Sequence, residues 1–268
     1  MIIVAGGDSF VYGSELQDCT NDSSSRCTFA ALLSQEHTYD CVAWPGYGND
    51  SIARTVINRC EQSDKQQLAV LVSWTFPGRY EFRFDYNTRQ RNSPWYTITP
   101  WTGIGDVNAV TKEFINPIDS VIEDHRRATR VSNETGMSEF ANVFYRHVGS
   151  SELWEIYSSI KEIVYLQNYL KLNNIPYMFT CADNLLFYNH SMSDANVQAL
   201  HNQIDHDHWF WFPAGVDPQD TCQPRGFYQW AVENKYPVGA THPLESAHQA
   251  ATQLMQGKFN ELVKKSVQ

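Results

Sequence analysis

The stretch MIIVAGGDSFVYG, residues 1–13, decides the fold. Four apolar residues, Ile2 to Ala5, run into Gly6-Gly7-Asp8-Ser9, and Phe10, Val11 and Tyr12 lead on to Gly13. A short apolar run cut off by a glycine pair and a small polar residue reads as a buried strand ending in a tight turn that presents the serine. Ser9 is then either a nucleophile or a helix N-cap, and the motif alone does not choose between them. Its place favours chemistry, because ligands of open parallel sheets bind at the carboxyl ends of the strands.

Working outward, apolar strand-like runs recur at 39–44 (YDCVAW), 68–74 (LAVLVSW) and 176–181 (PYMFTC). Helix-like stretches lie between them at about 27–36, 50–63 and 152–173, and a last helix at about 243–265 opens on Pro243, a favoured first-turn residue. This alternation is that of right-handed βαβ units and predicts an α/β fold with a parallel sheet of about five strands. The 268 residues are read as one domain, 1–268, with an elaborated insertion at about 76–150, where the rhythm is lost and turn signals accumulate.

Composition narrows the function. The formal net charge of −10 and the lack of a long basic run argue against broad binding to nucleic acid or to an anionic membrane surface. HRRATR at 125–130 is short and is offset by Glu123 and Asp124. No stretch approaches the roughly 18 apolar residues of a spanning helix. The N-terminus reads as a core strand rather than a leader, so a cytoplasmic setting is the default expectation. Six cysteines show no zinc spacing, although Cys19 and Cys27 could bridge in an oxidising compartment. His206 and His208 would share one face of an extended segment, but no third ligand is specified, so no metal is expected. Aromatic residues are abundant, with 8 Trp, 14 Tyr and 14 Phe, and segments such as SPWYTITPW (93–101) and HDHWFWFP (206–213) read as lid, core or cleft lining.

Two further stretches bear on Ser9. In WPGYGNDSIARTVI (44–57) a strand ends in Pro45-Gly46-Tyr47-Gly48-Asn49, where glycines let backbone N–H groups point beside the serine, as an oxyanion requires. The plain alternative is a strand-to-helix turn capped by Asp50 or Ser51. In GATHPLESAHQAATQLM (239–255) His242 sits in a loop ahead of the terminal helix, placed as a general base if it meets Ser9.

In this order, the blocks Gly7-Asp8-Ser9-Phe10, Pro45-Gly46-Tyr47-Gly48-Asn49 and His242-Pro243, with His248 following, resemble the GDSL-like lipases and esterases, or SGNH hydrolases. The resemblance implies a flavodoxin-like three-layer α/β/α sandwich and ester hydrolysis through Ser9 and His242. The oxyanion would be held by Ser9 and Gly46 N–H groups with Asn49, and no cofactor would be needed. Two departures stand out. The family's asparagine block after the third strand is replaced by Ser73-Trp74-Thr75-Phe76, for which Asn49 or the Thr75 hydroxyl would substitute. The family's acid stands three residues before the histidine, where this chain has Gly239, which leaves a Ser–His dyad, an acid from elsewhere or lost activity. A remote carboxylate is expected from Asp217 or Asp220. Trp74, Thr75 and Arg79 are placed at the site edge, with Arg79 and Glu81 read as an ion pair. The expected substrate is a small-molecule or carbohydrate ester. The rival readings are a non-catalytic carbohydrate-binding or structural module and an acyltransferase.

Overall fold

The computed structural model describes residues 1–83, 95–102, 136–187, 193–214 and 225–265. Strand β1 (Ile2–Gly6) runs parallel to β2 (Thr38–Cys41) on one side and to β3 (Leu68–Trp74) on the other. All seven residues of β3 are buried, as expected of a parallel strand covered on both faces. Strand β6 (Tyr177–Cys181) pairs with the far side of β3, giving the order β2-β1-β3-β6. After β2 the chain crosses β1 to form β3, so the topological switch lies between β1 and β3, and ligands of such sheets bind in the crevice there.

Alternation along the strands divides the core into two faces. Val4, Val70 and Val72 meet Ile52 and Val56 of helix α3 (Asn49–Glu61) and Ile160 and Ile163 of helix α5 (Glu152–Leu172). Ile3, Ala5, Ala69 and Leu71 face Phe29 of α2 (Phe29–Leu33), Phe227 of α7 (Phe227–Glu233), and Ala251 and Met255 of α8 (Glu245–Lys265). The result is a three-layer α/β/α arrangement. Truncating a fully buried side chain at its centre, such as Leu71, would cost about 2–5 kcal/mol.

Several expectations need correction. Among the described residues the parallel sheet has four strands, not about five. The fifth position, beside β6, is occupied by Trp209–Phe212, which forms a single parallel bridge from Trp209 to Phe179 before Phe212 turns to pair with Arg225. Its side chains still alternate: Trp209 and Trp211 enter one core face, and Phe210 and Phe212 the other. Helix α8 begins two residues after Pro243, because Pro243 is engaged in an isolated bridge with Val238. Residues 206–208 form a 3-10 turn rather than an extended segment. His208 stacks on Tyr177 while His206 packs near Trp211, so the two rings have separate surroundings. Cys19 and Cys27 are both free thiols.

Within the span 76–150, the described residues form an antiparallel hairpin, β4 (Tyr80–Arg83) with β5 (Trp95–Ile98), and helix α4 (Met137–Phe144) running into a π turn at Tyr145–Gly149. The Tyr145 hydroxyl, beside both, lies 2.7 Å from the Gly78 carbonyl and 3.0 Å from that of Ile98. No helix among the described residues is long and apolar enough to cross a membrane.

Candidate active site

The glycine pair after β1 leads into helix α1 (Ser9–Tyr12), whose N-cap is Asp8. The Asp8 carboxylate accepts the Phe10 N–H at 3.0 Å, so capping is done by the residue before Ser9. The serine hydroxyl is left for another partner. Ser9 Oγ lies 2.7 Å from Nε2 of His242.

His242 is delivered by a tight loop ahead of α8. Gly239 N–H donates to the His242 carbonyl at 2.9 Å and Leu244 N–H to the Pro237 carbonyl at 2.9 Å, closing the chain around Ala240 and Thr241. The Phe10 ring packs on the imidazole with centroids 4.7 Å apart, and Phe76 and Tyr228 pack on Phe10 in turn.

The other ring nitrogen, Nδ1, lies 2.7 Å from Oε1 of Glu15. Burial alone would raise the Glu15 carboxyl, but the hydrogen bond and charge of His242 and the Thr241 hydroxyl and N–H outweigh it and hold the carboxyl below its ordinary value. An ionised carboxylate only accepts, so it assigns the proton to Nδ1 and leaves Nε2 bare to accept from Ser9. The Thr241 hydroxyl donates to Glu15 at 2.8 Å and its oxygen lies 2.8 Å from Nδ1, a second acceptor for the same proton. The residue had no motif to mark it in the sequence; its only trace was the blank at Gly239. Asp217 and Asp220, where a remote carboxylate was expected, lie outside the described residues.

The glycine block sits across the crevice. Tyr47 N–H donates to the Trp44 carbonyl at 3.2 Å, with Pro45 second and Gly46 at φ 85° third, the pattern of a type II turn that requires glycine there. A side chain at Gly46 would meet nothing within 4 Å, so its backbone borders open space. Asn49 is buried, and its amide brackets Thr75: Oδ1 accepts Thr75 N–H at 2.9 Å while Nδ2 donates to the Thr75 carbonyl at 3.2 Å. One Nδ2 proton remains for another acceptor.

The Thr75 hydroxyl donates its single proton to Asp8 at 2.5 Å and accepts from Arg79 Nη1 at 3.1 Å, which commits it away from an oxyanion. Arg79 also lies 3.1 Å from Asp8 and is flanked by the rings of Phe76 and Trp101. It does not pair with Glu81, which receives two bonds from Arg54, at 2.5 and 2.7 Å, because β4 turns that carboxylate toward α3. Trp74, expected at the site edge, is fully buried against Phe179, since the inward alternation of β3 carries it into the core.

No protein-family model matches this chain, and no curated protein matches it. Among solved structures, it is similar to the esterase EstA from Pseudoalteromonas sp., with a TM-score of 0.47 and 10% identity over 98% of each chain. A phospholipase A1 from Streptomyces albidoflavus gives a TM-score of 0.42 and 11% identity over 96% of this chain and 98% of that one. An acetyl xylan esterase, AlAXEase, gives a TM-score of 0.39 and 8% identity over 96% of this chain and 99% of that one.

Proposed function

We propose that the chain is a serine ester hydrolase acting on a carboxylic ester, an O-acetyl ester among the candidates. The observation that carries this reading is the 2.7 Å approach of Ser9 Oγ to His242 Nε2 at the carboxyl end of β1. A hydroxyl hydrogen-bonded to a bare imidazole nitrogen is an activated nucleophile. Ser9 Oγ attacks the ester carbonyl carbon as its proton passes to Nε2. The tetrahedral oxyanion is held by the Ser9 and Gly46 N–H groups, with Asn49 as a further donor. His242 then gives the proton to the leaving alcohol, and water repeats the sequence on the acyl-enzyme. Every step uses groups of the chain, so no cofactor enters the scheme.

The test is Ser9→Ala assayed on a chromogenic acetyl ester, together with labelling of the unmodified protein by a fluorophosphonate. We expect labelling at Ser9, loss of turnover in the variant, and a thermal midpoint shifted by no more than a degree or two. A capping serine would cost about 1 kcal/mol on replacement by alanine, whereas here Asp8 holds that role. Unlabelled Ser9 and unchanged turnover would reject the reading.

A further inference from the structure

We propose that Glu15 is the positioning residue of His242, and that it occupies the space in which an acid three residues ahead of the histidine would stand. The proposal rests on the Ser9–His242 reading above and concerns the third member of that site. Glu15 lies six residues after the nucleophile, just beyond the C-cap of α1, so one short segment supplies both ends of the relay.

Three groups of the histidine loop converge on this one carboxylate. Thr241 N–H is 3.2 Å from Oε1 and 3.3 Å from Oε2, the Thr241 hydroxyl is 2.8 Å from Oε1, and His242 Nδ1 is 2.7 Å from it. The carboxylate is one-tenth exposed, in surroundings where an imidazolium formed during attack gains most from a fixed counter-charge. Glu15 also adopts φ 72°, a left-handed conformation rare for a residue with a side chain. Such strain persists where surrounding contacts over-determine it, and the bonds to Thr241 and His242 are those contacts.

Gly239 explains where the expected acid went. A Cβ built there would overlap Glu15 Oε2 and come within 3.3 Å of the carboxyl carbon. The two positions compete for one volume: a side chain at 239 would push this carboxylate from its present place beside His242. The carboxylate that the histidine loop lacks thus comes from the segment just after the nucleophile turn. A purely structural Glu15 would need its bonds to Thr241 but not the one to Nδ1.

The experiment compares Glu15→Gln, Glu15→Ala and the double variant Glu15→Ala/Gly239→Asp. Each is followed by kcat and KM on a chromogenic acetyl ester, by thermal midpoint, and by proton NMR of the His242 Nδ1 proton. Glu15→Gln should lower kcat by about 10²- to 10⁴-fold with KM within about threefold, as when a triad carboxylate becomes an amide that no longer selects the tautomer. The far-downfield Nδ1 resonance should move upfield or vanish. The double variant should recover at least about tenfold over Glu15→Ala, because the aspartate takes the emptied space. Retention of kcat within threefold in Glu15→Gln, an unaltered Nδ1 resonance, or a folded double variant no faster than Glu15→Ala would overturn the proposal. The resonance is read without turnover, so the fate of Glu15 is decided even if Ser9 takes no fluorophosphonate and the hydrolase reading fails.

Discussion

Asp8 shows how one buried carboxylate leaves its neighbour's hydroxyl to meet His242. It has no exposed surface, and it caps α1, accepts the Thr75 hydroxyl and lies 3.1 Å from Arg79 Nη1. Together these contacts fix the turn that carries Ser9 to the ends of β1 and β3. Removing one partner of a buried ion pair leaves the other charge uncompensated, which costs about 3–5 kcal/mol, whereas removing both costs far less. We expect Arg79→Met to lower stability by about 3 kcal/mol. Asp8→Asn/Arg79→Met should lose clearly less, since asparagine also caps helices well. Urea unfolding at pH 7 checks this, and equal losses in the two variants would show that Arg79 stabilises by packing on Phe76 and Trp101 alone.

At the level of elements, legibility followed periodicity. The buried β3 announced itself as a continuous apolar run and α5 through apolar spacing of period 3.6, and both lie within a residue or two of where those patterns put them. The β4–β5 hairpin alternates, with Tyr80, Phe82, Tyr96 and Ile98 packing toward Ala141, Phe144 and Tyr145, but each strand is only four residues long, and polar ties to α3 hold it as well. The Asp50 carboxylate accepts the Glu81 N–H, Arg54 binds Glu81 through two bonds, and Ser51 Oγ meets Thr97 Oγ1 at 2.9 Å. Four-residue alternation and long-range polar pairs leave little local signature, so the sequence showed only that 76–150 broke the rhythm. Glu81→Gln should weaken this attachment without touching the sheet. Amide exchange in 80–83 and 95–98 should quicken about tenfold while that of 68–74 stays unchanged, the behaviour of a locally opening unit. Uniform acceleration would mean that the hairpin and sheet unfold as one.

Across the whole molecule, the meeting of Ser9 with His242 was legible because each falls in a short block at a strand end or helix start. Glu15 was not, since nothing local distinguishes a glutamate after a glycine turn until the chain closes 227 residues later on His242. His248 has a different part. It is 1% exposed, stacked on Phe29 and close to Phe227, and its Nδ1 accepts the Phe29 N–H at 3.1 Å, one of the orphan donors at the start of α2. Burial, with a smaller contribution from His242, pushes its pKa down to about 3. An unfolded histidine titrates near 6.5, so between these values the unfolded chain binds the extra proton. The stability contributed by neutral His248 is thus complete above about pH 6.5 and falls as pH drops toward 3, by up to about 1.4 kcal/mol per pH unit. Asp50, which burial raises to about 6, acts in the opposite sense, while the lowered Glu15 adds to the loss only in stronger acid. Both cancel when wild type is compared with His248→Asn, whose amide oxygen can still accept from Phe29. We expect the variant to be less stable at pH 7, for want of the ring's packing, but to lose less on going from pH 7 to pH 5. Urea midpoints across that range decide it: curves that run parallel would mean that His248 takes up its proton in the folded chain.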